Sequence, residues 1–115
     1  MIIRKENMEH YVRHEMRGGT GDMLMTTALP VEYLEGRGRG FNLMTVNKGC
    51  SVGEHTHEGE IEIYYVLSGE LSGKDNGEEI VLHTGDVMLC QNGGSHTVIN
   101  LKDEPAEVLA VILYV

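Results

Sequence analysis

At 115 residues, with a formal net charge of −9 and a pI near 5.0, the chain has the length of one domain. It lacks the positive footprint that nucleic acid or an anionic membrane surface requires, so neither is an expected partner. No apolar run approaches the roughly 20 residues of a membrane span, and the N-terminus Met-Ile-Ile-Arg-Lys-Glu-Asn has no apolar signal core, so a cytoplasmic location is expected.

In chain order, Met8, Tyr11, Val12 and Met16 fall at i, i+3, i+4 and i+8 and predict a short amphipathic helix stopped by Gly18-Gly19. His10 and His14, four apart on that helix, have no carboxylate placed for a third bond and no apolar run around them, and are read as solvated. Asp22–Leu29 reads as a strand ended by Pro30. The stretch Gly36-Arg37-Gly38-Arg39-Gly40 precedes a strand and does not link a strand to a helix, so it reads as a flexible loop and not as a phosphate cradle. Arg39 alone could clamp a substrate carboxylate at the mouth of an acidic pocket.

From Phe41 onward strand signals dominate, punctuated by glycine-bearing turns: Phe41–Val46, Ser51–His57, Ile61–Leu67, Glu79–His83, Asp86–Gln91, His96–Asn100 and Glu107–Tyr114. Lys74-Asp75-Asn76-Gly77 is a tight turn between two of them, since Asn and Gly tolerate positive φ. His83 falls in a turn and is read as a surface residue. Cys50 and Cys90 are too few for a disulfide framework and are expected as reduced, mostly buried thiols. Val108–Leu113 is almost continuously apolar, as in a strand covered on both faces, and a dimer interface is one way to cover it.

The chemistry concentrates between residues 49 and 100. Side chains alternate along a strand, so His55 and His57 point to one face and one ion can take both imidazoles. Glu62 follows five residues later, past the acidic turn Glu58-Gly59-Glu60, where a hairpin would fold its carboxylate back beside them. His96 supplies a fourth donor from a later strand.

The fixed positions Gly49, His55, His57, Glu62 and Gly69, followed by Gly85, Gly93, His96 and Asn100, resemble the two motifs of the cupins, with Gln91 where that family usually has proline. The resemblance implies an all-β fold, a double-stranded β-helix or jelly roll of two facing antiparallel sheets. Residues 41–115 would form the barrel, and residues 1–40 an N-terminal arm of the same domain with one short helix; such arms commonly pair with a second subunit, so a homodimer is expected. It further implies that His55, His57, Glu62 and His96 bind one divalent transition metal ion. Three nitrogens and one oxygen suit Mn, Fe, Ni, Co, Cu or Zn alike. The function expected is that of a metal-dependent enzyme of dioxygenase, decarboxylase or isomerase type acting on a small polar substrate, with Glu62 as both ligand and catalytic base. The competing readings are a non-catalytic module that binds or senses a metabolite, and a metal-free isomerase. Tyr64 and Val66 share the parity of Glu62 and should shape the pocket.

Overall fold

The computed structural model, which describes residues 1–115, has ten strands: β1 (Glu9–His14), β2 (Asp22–Thr27), β3 (Gly38–Val46), β4 (Ser51–Thr56), β5 (Glu60–Ser68), β6 (Leu71–Asp75), β7 (Glu78–Leu82), β8 (Val87–Cys90), β9 (Ser95–Ile99) and β10 (Ala106–Tyr114), with buried and more open side chains alternating most clearly along β5, β8 and β9. They form two antiparallel sheets, one in the order β1-β2-β3-β10-β5-β8 and the other β4-β9-β6-β7. This is the double-stranded β-helix. Met44, Val46, Val66 and Val108 from the first sheet meet Val52, Leu71, Leu82 and Val98 from the second in one buried cluster. The same cluster includes Met25, Met44 and Tyr64, and the buried polar side chains His57, Glu60, Glu62 and His96 also lie inside the barrel.

The N-terminal segment departs from expectation. Glu9–His14 is a strand and not a helix, paired with β2 from Glu9↔Thr27 to His14↔Asp22. Helical geometry is limited to 3₁₀ turns at Lys5–Asn7, Met16–Gly18 and Val31–Leu34. Short helices are marginal alone, whereas the open edge of β2 offers a full ladder of backbone partners. Apolar residues on both faces of this strand reproduce a helical spacing by accident. The expected loop at Gly36–Gly40 is likewise strand from Gly38, because a Cβ at Gly38 would stand 2.3 Å from the Ile112 carbonyl oxygen where β10 shifts register.

Strand β6, Leu-Ser-Gly-Lys-Asp, carries little strand signal. It pairs with β9 through Gly73, where a Cβ would lie 2.0 Å from the Thr97 carbonyl oxygen, so only glycine allows the approach. Asn76 (φ 50°) and Gly77 (φ 82°) close the two-residue hairpin to β7, as their residue types predict.

Candidate metal centre

His55 lies on β4 directly across from His96 on β9, with a register shift between Val52 and His55. His57 follows the end of β4 and is fixed by its backbone: its N–H donates to the Gly94 carbonyl at 3.0 Å, and its carbonyl accepts from the Gly93 N–H at 2.6 Å. The Gly94 N–H closes the same turn onto Gln91, so hydrogen bonds supply the order that a proline would otherwise give. Glu62 comes from β5, in the opposite sheet. The turn at Glu58-Gly59 is therefore a corner between sheets and not a hairpin, and Glu62 reaches the imidazoles across the barrel.

The four side chains converge. The Nε2 atoms of His55, His57 and His96 are 3.0, 3.2 and 3.1 Å apart, and Glu62 Oε1 is 3.0 Å from those of His57 and His96 and 3.7 Å from that of His55. All but His55 are buried to within a few per cent of full occlusion. His55 Nδ1 bonds the Gly53 carbonyl at 2.7 Å and His57 Nδ1 bonds the Glu60 carboxylate at 2.6 Å, so both rings carry their proton on Nδ1. Their Nε2 lone pairs then face each other across 3.0 Å, an arrangement that a shared cation satisfies and protein donors here do not. His96 Nδ1 is buried without a partner. An ion about 2.1 Å from each donor would set neighbouring donors ~3.0 Å apart at right angles and ~3.4 Å apart at tetrahedral angles, and the histidine edges match the former. The donor set therefore fits one metal ion.

Electrostatics agree with the geometry. Burial pushes the Glu62 carboxyl up, but the surrounding imidazoles of His55, His57 and His96 outweigh it and hold the group well below the usual carboxylate range. The neighbouring Glu62 carboxylate, opposed by burial and helped by Glu60, raises His57. Tyr64, fully buried, stacks on His96 with centroids 4.9 Å apart and planes 18° apart; burial, then the Glu62 charge, raises its phenol well above the normal value. Tyr64 and Val66 both point inward, as parity with Glu62 predicts.

Glu60 was expected in the acidic turn Glu58-Gly59-Glu60. It instead opens β5 on the same inward face as Glu62, with both oxygens gripped by Arg39, Nε to Oε2 and Nη2 to Oε1 at 2.7 Å each. The Arg39 bonds bring its carboxyl down to about 2. Arg39 is thus a β3 residue paired to a protein carboxylate, with only part of its guanidinium open to a ligand. Beside Glu62 and Tyr64 opens a cavity of about 120 Å³, walled by Arg39 and Asn42 of β3 and covered by Tyr11 and Arg13 of β1. Nothing in the sequence placed Tyr11 or Arg13 at the site, and for Glu60 the one signal is its alternation with Glu62, Tyr64 and Val66.

The remaining singled-out residues lie elsewhere. His10 is exposed on β1 and bonds Thr26 Oγ1; exposed His14 has the carboxylate neighbour that the sequence did not reveal, Asp22 at 2.6 Å. His83 is exposed beside Glu70 and Asp86. Cys50 and Cys90 are free thiols, the first half-buried and the second buried. Asn100 is a structural residue, donating to the Val46 and Glu104 carbonyls and accepting from the Lys102 N–H.

Residues 42–112 match the model of the cupin domain family. The chain is 39% identical over 113 residues to an oxalate-binding protein of Thermotoga maritima, an alignment covering 98% of this chain and 93% of that protein. A crystal structure from Thermotoga maritima described as a predicted oxalate decarboxylase aligns over 100% of both chains, with a TM-score of 0.95 and 38% identity. A sugar phosphate isomerase from Silicibacter pomeroyi shares the fold at a TM-score of 0.80 and 21% identity, over 100% of this chain and 76% of that one. Two facing sheets, the motif residues converging inside them and a family match spanning more than half of the sequence agree: the chain belongs to the cupin family.

Proposed function

We propose that His55, His57, Glu62 and His96 hold one divalent transition metal ion, and that the protein binds a small dicarboxylate of the size of oxalate beside it. The observation that carries this reading is the cavity. Its volume of about 120 Å³ is close to that of an engineered cavity of about 150 Å³ that accepts benzene, a molecule with as many non-hydrogen atoms as oxalate. A pentose or hexose phosphate has more than twice as many and exceeds it. Arg13 and Arg39 stand on the wall of this cavity in a chain of net charge −9, which suits a dianion. The names of the Thermotoga maritima relatives, oxalate-binding protein and predicted oxalate decarboxylase, point to the same ligand class.

His55, His57, Glu62 and His96 would hold the ion, which would supply a Lewis acid for the carboxylate. The chain's own residues supply orientation and enclosure: arginines oppose the far carboxylate, and Met16, Met25 and Met44 exclude water. Turnover is the second reading, favoured by the place of Glu62 at the edge of the cavity. Decarboxylation of oxalate takes up one proton and yields carbon dioxide and formate, and Glu62 would move that proton. Against it, no second carboxylate lines the cavity to share the proton transfer. Binding without turnover is therefore the better-supported function.

Calorimetry of oxalate into protein loaded with Mn, and separately with Co, Ni or Zn, tests this. Binding only to loaded protein, with no formate produced, is expected. Formate in stoichiometric excess over protein would select the decarboxylase, and loss of a sugar phosphate or diketone but not oxalate would overturn the ligand class.

A homodimer in the cytoplasm remains our proposal for the assembly. Its support is the outer face of the six-stranded sheet, where Val12, Leu24, Tyr65, Val87 and Leu89 are all more than two-fifths exposed, although an antiparallel sheet facing water is normally polar on that side. Light scattering after size exclusion should give twice the 12.7 kDa chain mass. A monomer at micromolar concentration would refute it.

A further inference from the structure

We propose that Arg39 and Glu60 form a positioning relay that ties recognition of an anion in the cavity to the orientation of His57 at the metal; this rests on the metal-and-dicarboxylate reading above. Arg39 is the second residue of β3 and Glu60 opens β5, two strands separated in the sheet by β10, so side chains alone join them. The guanidinium meets both carboxylate oxygens at 2.7 Å as a two-pronged fork, which fixes the plane of the carboxylate. Oxygen Oε1 of that carboxylate then accepts from His57 Nδ1 at 2.6 Å. With its acceptor held, the His57 ring can neither flip nor change tautomer, and its Nε2 stays aimed at the shared centre. Glu60 is 9% exposed, so water competes little for these bonds.

Arg39 has a second surface. Its Nε and Nη2 go to Glu60, while Nη1 makes no hydrogen bond to the protein and the residue lines the cavity beside Glu62. A dicarboxylate in the cavity meets the same guanidinium that holds Glu60. An anion there tightens the fork, and a loosened fork frees His57. Metal and anion should then strengthen each other through Arg39 as well as by direct contact. Lysine, a single point charge, cannot reproduce the fork.

The test uses the full chain with Mn(II) and oxalate as probes. Wild-type protein binding neither probe would overturn the functional reading itself, before any variant is considered. Given wild-type binding, Glu60→Gln should weaken Mn(II) about 10- to 100-fold and alter the paramagnetic resonance line shape of the bound ion. Arg39→Lys should do the same and, at saturating Mn(II), weaken oxalate by at least about tenfold. Circular dichroism checks the fold, and Arg39→Lys, which keeps the charge, carries the test if Glu60→Gln does not fold. A pair that only braces the barrel would lower the melting temperature while leaving Mn(II) affinity and line shape at wild-type values, and that outcome overturns the relay. Weakened Mn(II) with unchanged oxalate in Arg39→Lys overturns the anion half.

Discussion

Replacing His96 by alanine should abolish the stabilisation that metal gives the fold. An ion that binds only folded protein contributes about 2.7 kcal/mol at 100 times its dissociation constant. With unfolding entropy near 2.1 cal/mol/K per residue, the 115-residue chain has about 0.24 kcal/mol/K, so wild type should melt about 11 °C higher when loaded. His96 Nε2 contacts His57, His55 and Glu62 at 3.2, 3.1 and 3.0 Å, so its loss removes half of the pairwise edges of the site. If affinity falls 100-fold, the same metal concentration contributes about 0.4 kcal/mol, a shift under ~2 °C. His10→Ala, which alters only an exposed bond to Thr26, should keep the full shift. Differential scanning fluorimetry with and without metal, each variant against its own apo form, reads this directly. Equal shifts in all three proteins would refute the assignment of His96.

Glu62→Gln should weaken metal less than His96→Ala, since an amide oxygen still coordinates but brings no charge; calorimetry ranking the two in the opposite order would count against Glu62 as a ligand. Leu71→Ala, at a fully buried site in the hydrophobic core, should cost about 2–5 kcal/mol in urea denaturation while leaving metal affinity of the folded protein unchanged. Burial, aided by the charge of Glu62, pushes the Cys90 thiol up to about 11, so it stays protonated at pH 8. Iodoacetamide should therefore leave Cys90 unmodified in native protein and label it in urea, which mass spectrometry of tryptic peptides would show; rapid native labelling would contradict its burial.

What could be read in the sequence was whatever depends on a fixed spacing. His55 and His57 share a face because strands have a period of two, and the Asn76-Gly77 turn follows from the positive φ those residues accept. What escaped depends on the partner strand. Glu9–His14 owes its extended form to the open edge of β2, which residues 8–16 alone do not disclose. Strand β6 exists because Gly73 lets the Thr97 carbonyl come close, a contact between segments 24 residues apart in the chain. Glu60 looked like half of an acidic turn, and only knowing that β5 begins at that residue brings its parity into line with Glu62. Arg39, placed in a loop by its glycine neighbours, finds Glu60 across an intervening strand, so no local pattern could announce the pair.

The most direct measurement is X-ray diffraction from metal-soaked crystals above and below the absorption edge of the ion. A single anomalous peak about 2.0–2.3 Å from the Nε2 atoms of His55, His57 and His96 and from a Glu62 oxygen is the expected result. Anomalous density absent from that point, or an ion held elsewhere while these four side chains stand apart, would contradict it.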